Sequence, residues 1–259
     1  MEKFKARLLP YNDMASVEMQ DTTSRFADTV WSMPESGTRL AIMSDKDLHI
    51  PIEPRDAYKL SAQPQSAYML QMLSANNRCK DSIVYRALLD PIQRKTSENG
   101  AYTSVVLPAT QKIIDGGVGI TKDKIITAKG IFRRNECDEE NGEELYIAYN
   151  ADMLIEIMKD TTLTCADFMA VKMLQEGALA SKWLGFNWIP YEKLDNASGI
   201  ATTAAWCKSA VHFGTGIDGS SVDMGIRRDK NNAIQLSLTA TYGAGRANEK
   251  KVVSIDFKI

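Results

Sequence analysis

The side chains that most often carry chemistry are few in this chain and poorly spaced for it. Only two histidines, His49 and His212, occur in 259 residues. His49 sits in Asp47-Leu48-His49-Ile50-Pro51, an extended-looking segment, and His212 alternates with apolar neighbours in Ala210-Val211-His212-Phe213. Neither has a companion ligand or nucleophile at motif spacing, so both read as structural. A cysteine nucleophile needs a histidine or a helix N-terminus to lower its thiol pKa. Of Cys79, Cys137, Cys165 and Cys207, only Cys165 meets one condition, one residue after the expected helix cap Thr164. No base is identifiable for it. The four cysteines lie far apart with no CxxC pair, which suits free thiols in a reducing compartment better than disulfides or zinc.

Three loops invite a chemical reading. Gly116-Gly117-Val118-Gly119, with Lys122 and Lys124 near the start of the next helix, could bind an anion. It lacks the lysine and hydroxyl of a P-loop and does not match GxGxxG, so a tight bend is expected. Asp218-Gly219-Ser220-Ser221-Val222-Asp223 lacks the ligand spacing and closing glutamate of a calcium loop, and reads as a turn. The acidic run 138–144 contains Asn141-Gly142 and reads as a solvated loop tip; paired catalytic carboxylates need a concave, desolvated setting. Trp183 and Trp188, and Met69, Met72 and Met173, fall at positions expected to pack in a core. No catalytic, cofactor-binding or metal-binding residue emerges, and no cofactor is expected.

Composition agrees with a folded protein that is not built around nucleic acid. Lys plus Arg number 31 and Asp plus Glu 33, a formal net charge of −2, where a dedicated nucleic-acid binder carries a basic surplus. Hydrophobic residues at 44% and charged residues at 25% are ordinary for a globular chain. The apolar runs are far short of a membrane span, and the start Met1-Glu2-Lys3-Phe4-Lys5 has no signal-peptide core.

The elements that would position these residues follow from periodicity. Residues 1–30 sustain neither period and read as an irregular arm, ordered only against something else. Residues 31–60 read as two extended segments joined by a polar turn at 44–47, a long hairpin-like excursion with little core of its own. From 64 to 89, Tyr68, Met72, Ala75, Cys79, Ile83 and Ala87 step by three or four, one continuous helical face. Pro64 suits the first turn and Asp90-Pro91 ends the run, giving a rod of roughly 39 Å. Gln71, Ser74, Arg78, Lys80 and Asp81 fall on the opposite face. A polar stretch at 93–100 precedes a strand at 101–107. Thr121 caps a helix carrying Ile125, Ala128, Ile131 and Phe132, and a strand spans 145–149. Asn150 caps a short helix to Met158, and a second helix with Asp167 in a capping box runs from Thr164 to near Gly177. Strands at 183–189 and 201–213 flank a loop at 196–199. Strands at 221–228, 233–242 and 251–257 make an antiparallel meander with its first turn at 229–232. The class is α+β, without the regular alternation of a parallel nucleotide-binding sheet.

Four ordered stretches then carry a family resemblance. The first is Asn77-Arg78-Cys79-Lys80-Asp81-Ser82-Ile83-Val84-Tyr85-Arg86-Ala87-Leu88, the second Leu107-Pro108-Ala109-Thr110-Gln111 with the glycine bend and the Thr121 helix. The third runs from Ala166-Asp167-Phe168 through Leu174-Gln175-Glu176-Gly177 to Trp183-Leu184-Gly185-Phe186-Asn187-Trp188-Ile189. The fourth is Ala205-Trp206-Cys207-Lys208-Ser209-Ala210-Val211, then Tyr242-Gly243-Ala244-Gly245-Arg246 and Val252-Val253-Ser254-Ile255. Over about residues 64–259 this order resembles the major capsid proteins of tailed bacteriophages, with the Hong Kong 97-like fold. The fourth stretch is the most specific, with its Lys-x-Ala-Val step, Gly-Ala-x-Arg turn and final Val-Val-x-Ile strand.

The resemblance implies an N-terminal arm at 1–30, an extended loop (the E-loop) at 31–62 and a peripheral domain at 63–109 around a spine helix. It implies an axial domain at 110–205 and a return to peripheral strands at 206–259. It further implies self-assembly into hexamers and pentamers of an icosahedral shell that encloses double-stranded DNA without gripping it and without sequence-specific binding. Scaffolding, portal and decoration proteins would be partners, no membrane would be involved, and assembly would take place in the bacterial cytoplasm. Such a protein is not an enzyme. Rival readings are an encapsulin-like cellular shell packaging enzyme cargo, a small enzyme using Cys165 or the acidic loop, and another virion part. Because the arm lacks a core, deleting residues 1–30 is expected to spare the subunit fold and abolish closed shells.

Overall fold

A computed structural model describes residues 8–14, 17–21, 24–25, 28–29, 31–53, 64–97, 99–159 and 182–259. The chain begins with strands β1 (Leu8–Met14), β2 (Ser36–Ile42) and β3 (Ser44–Ile52), then helix α1 (Pro64–Leu89). Strands β4 (Ile92–Lys95), β5 (Thr103–Val105) and β6 (Lys112–Ile113) lead to α2 (Lys122–Arg134), β7 (Leu145–Tyr149) and α3 (Ala151–Lys159). The remaining described strands are β8 (Lys182–Trp183), β9 (Phe186–Pro190), β10 (Asp195–Ala197), β11 (Ile200–Cys207), β12 (Val211–Ile217), β13 (Asp223–Arg227), β14 (Ala233–Arg246) and β15 (Val252–Lys258).

The local signals that need no tertiary partner hold. Helix α1 has the bounds expected from its period and its prolines. Thr121 Oγ1 accepts from the Lys124 amide at 3.4 Å, and Asn150 Oδ1 from the Met153 amide at 2.9 Å, capping α2 and α3. The expected helix at 164–177, with Cys165 and Met173, lies outside the described residues.

The strands form three sheets. A small one runs β1-β2-β4-β5, a seven-stranded one β6-β15-β11-β7-β9-β8 with β10 beside β11, and a third has β14 between β3 on one side and β12 and β13 on the other. The seven-stranded sheet packs against α2 and α3 through Phe132, Leu145, Ile147, Met153, Phe186, Val253 and Phe257. Helix α1 spans two further clusters. Its first half rests Met72 and Tyr68 on Leu236, Leu238, Ala240 and Tyr242 of β14, and its second half places Tyr85 and Leu88 against Ala204, Ala210 and Val252. No described helix is long and apolar enough to cross a membrane.

Several expectations are corrected, each by a pairing that sequence does not display. Residues 8–14 are a strand inside the supposed arm, paired with β2 from Leu8↔Ile42 to Met14↔Ser36. The two extended segments at 36–52 are not a hairpin: the chain changes sheet at Met43, and residues 44–47 lie within β3, which pairs with β14 over nine positions. Part of the polar stretch 93–100 is β4. The segment 183–189 is a hairpin turning at Leu184 and Gly185, both at positive φ, and 201–213 is broken by a 3-10 turn at 208–210 that moves the chain between sheets. The C-terminal strands do not make a meander, because β15 leaves the β13–β14 hairpin to pair with β11 and β6. On α1 the buried positions are Met72, Asn76, Tyr85 and Leu88, so the apolar stripe lies at the edge of the contact.

Candidate functional site

Where the structure describes them, the residues that invited a chemical reading make the following contacts. His49 lies on β3 beside the Gln235 amide nitrogen at 3.3 Å, and His212 packs its ring on Tyr11 with centroids 4.6 Å apart. Cys79, Cys137 and Cys207 are free thiols. Folding brings Cys137 and Cys207 together despite their separation in sequence, with Cys207 Sγ donating to the Cys137 carbonyl at 3.0 Å. A hydrogen bond between the two side chains holds the Cys137 thiol down to about 7 and, with burial, pushes Cys207 up. Both are buried, and the structure offers neither an imidazole.

The glycine bend does turn at left-handed Gly116 and Gly117. Of its two lysines, Lys124 is not free for an anion: its Nζ donates to the carbonyls of Asp115 (2.8 Å), Val118 (3.0 Å), Gly119 (2.9 Å) and Asp256 (3.0 Å). This ammonium ties the bend to β15, and burial lowers its pKa. The 218–223 turn docks on α1, where buried Asn76 donates to the Gly219 carbonyl at 2.9 Å and Lys80 approaches Asp218 at 3.4 Å. Lys80 therefore sits on the packed side of α1 rather than opposite it.

The acidic run is stitched to the body, which corrects its reading as a solvated tip. Glu139 pairs with Lys129, Asp138 and Glu140 with Arg133, Glu143 with Lys251 and Ser209, and Glu144 with Lys208 and Tyr146. The Ser209 and Lys251 contacts hold the Glu143 carboxyl below its ordinary value against the opposing effect of burial.

The densest polar centre is a clamp that periodicity and motif spacing do not reveal. Arg39 of β2, with its side chain 2% exposed, meets Asp13 of β1 at 3.0 Å and Glu249 at 2.5 and 2.8 Å. Arg94 of β4 reaches the same Asp13 at 2.9 Å. Arg246, at the end of β14 and fully buried, donates to the carbonyls of Leu88 (2.8 Å), Asp90 (3.1 Å) and Val105 (3.2 Å). Leu88 is in the last turn of α1, where carbonyls lack helical partners and a cation is favoured by the dipole. Arg246's own carbonyl accepts from the Tyr11 hydroxyl at 2.7 Å. Burial opposes the charge on Glu249, yet Arg39 and Arg246 outweigh it and hold the carboxyl below its usual value. Burial pushes the Tyr11 hydroxyl up and pulls Arg246 down. The expected Gly-Ala-x-Arg turn is straight strand. Its glycines serve close approach, since a Cβ on Gly243 would meet the Ile42 carbonyl at 3.1 Å and one on Gly245 the Tyr11 hydroxyl at 2.6 Å.

The opposite extreme is the β13–β14 tip. Residues 223–232 are exposed throughout. Met224 and Ile226 are 56% and 67% exposed although they pair with Leu236 and Ile234. They extend the apolar face that α1 covers further along the sheet.

A long helix laid across a β14-centred sheet, a second helix-backed sheet and a clamped N-terminal strand define the Hong Kong 97-like shell fold. Solved structures share it. A structure of Mycobacterium phage Che8 superposes with TM-score 0.67 at 12% identity, covering 97% of this chain and 85% of that one. The capsid of Ralstonia phage GP4 gives 0.64 at 12%, covering 98% and 84%. The SrpI encapsulin of Synechococcus elongatus PCC 7942 gives 0.54 at 12%, covering 96% and 82%. No curated protein matches in sequence. The phage capsid protein family model matches residues 7–259, and the chain belongs to that family. It is a major capsid protein of a phage head shell, a structural component of the virion.

Proposed function

We propose that copies of this chain form the hexamers and pentamers of an icosahedral shell enclosing the double-stranded DNA of a tailed bacteriophage. The observation that carries this reading is the family match across residues 7–259. The protein acts without catalysis, and the burial of Cys137, Cys207 and Lys124 in contacts with backbone carbonyls supports that. Scaffolding and portal proteins direct its assembly in the bacterial cytoplasm, and decoration proteins are possible further partners. The working division is an extended loop at 31–62, a peripheral domain at 63–109 and 206–259 around α1, and an axial domain at 110–205. Exposed Met224 and Ile226 on β13 support contact between copies, because such side chains gain about 25 cal/mol per Å² when covered.

The likeness to SrpI favours one second reading, a cellular shell that packages cargo protein. Negative-stain electron microscopy of the protein expressed with and without its neighbouring genes separates the two. Uniform closed shells without proteinaceous cargo are expected. Cargo inside shells formed by this protein alone would favour the encapsulin reading. Monomers or dimers under both conditions would overturn both.

A further inference from the structure

An open groove of about 580 Å³ runs along α1, lined by Ser44, Lys46, Ala75, Arg78, Cys79, Ser82, Ile83, Arg86 and Lys193. Its floor is small or neutral, and all four of its charged residues are cations. None of the four has an ion pair among the described residues, although cations elsewhere are tied to carboxylates, as Arg39, Lys129, Arg133 and Lys251 are. Three carboxylates near in sequence, Asp45, Glu192 and Asp81, are directed elsewhere. Asp45 accepts from Thr241 Oγ1 at 2.6 Å, because strand alternation turns it to the face of β3 opposite Lys46. Glu192 accepts from the Ala151 amide at 3.1 Å, and Asp81 lines a separate apolar cavity with Val84 and Tyr85.

We infer that this groove, rimmed by Lys46, Arg78, Arg86 and Lys193, is a sequence-independent contact site for the backbone phosphates of duplex DNA, and that this face of the subunit looks into the shell. The inference rests on the proposed function, in which the shell encloses DNA. The form of the site argues for a polyanion over a small one. Arg78 and Arg86 are eight residues apart, about 12 Å along the helix. Duplex DNA offers one charge per roughly 1.7 Å of axis, so cations spread over such a span meet several phosphates at once. Among the described residues, no buried polar side chain lines the groove to fix a single ion. An acidic segment of a second copy is the competing occupant. The chain's own acidic run is poorly suited to it, since Asp138, Glu139, Glu140, Glu143 and Glu144 are already paired. Four cations against a net charge of −2 give local, salt-sensitive attachment, compatible with later release of the genome.

The test is titration of the unassembled full-length protein with a short fluorescent DNA duplex at several salt concentrations. Each phosphate contact contributes about 0.9 to the slope of log K against log salt, so R78Q/R86Q should lower that slope by about two. The control R228Q/K230Q, at the exposed hairpin tip, should leave it unchanged. Undetectable binding by the wild type, an unaltered slope in R78Q/R86Q, or an equal loss in the control would overturn the inference. So would unchanged DNA binding combined with failure of R78Q/R86Q to form shells, which would assign the groove to a second copy. Wild-type shells seen by electron microscopy keep the capsid reading standing whichever way the titration falls.

Discussion

Arg246 shows how much one side chain can hold in this protein. It satisfies carbonyls at the end of α1 and beyond it while its own carbonyl anchors Tyr11. Removing it leaves those acceptors buried and Glu249 short of a cation. R246A is therefore expected to lower the unfolding free energy by about 3–5 kcal/mol, read from urea denaturation, with R246K recovering only part because ammonium lacks the guanidinium fork. Glu249 adds a pH dependence. Its folded pKa lies below the ordinary value of about 4.3, so its contribution is complete above that value and is lost as pH falls through the folded one. Wild-type stability should fall below about pH 4; E249Q should be less stable at pH 7 and show a shallower acid slope. Sequence names Arg246 within a family-like stretch, but nothing in it says that the arginine caps a helix ending some 158 positions earlier.

Among elements, β1 revises the most direct expectation about this chain. An arm without a core is expendable to its own subunit only if nothing in that subunit depends on it. Asp13 is the shared partner of Arg39 and Arg94, and Tyr11 lies against Gly245 and His212. Deleting residues 1–30 should therefore destabilise the isolated subunit by several kcal/mol, since it strips β1 from β2 and removes the carboxylate that Arg39 and Arg94 share, leaving Arg39 with Glu249 alone; unchanged thermal unfolding of the truncated chain would refute this. Helix α1, α2, α3 and β7 were legible in sequence because their periods, prolines and caps are local. Strand β1 was not, since Leu-Leu-Pro-Tyr-Asn-Asp-Met has no alternation and exists only as a partner of β2. The breaks at Met43 and at 208–210 are equally silent, because a chain that crosses between sheets stays extended on both sides.

For the whole molecule, the contrast between the clamp and the tip decides where copies can meet. One end is locked by buried ion pairs, and the β13–β14 tip presents Met224 and Ile226 to solvent. M224D/I226D should leave the subunit's unfolding midpoint nearly unchanged, because both positions are exposed, and should reduce closed shells seen by electron microscopy. Shells forming normally in that variant would remove the tip from the assembly contacts.

By itself the sequence determined the α+β class, the bounds of the long helix, and the capped ends of α2 and α3. Those properties depend on residue type and on spacing within a few turns. Only the tertiary structure decided that the arm is clamped, that Lys124 is consumed by four carbonyls, and that β3 joins β14 instead of β2. It alone placed Lys46, Arg78, Arg86 and Lys193 around one groove. Each of these is a meeting of residues far apart in the chain, and the energy that selects it is burial and charge pairing between elements, which no local pattern encodes.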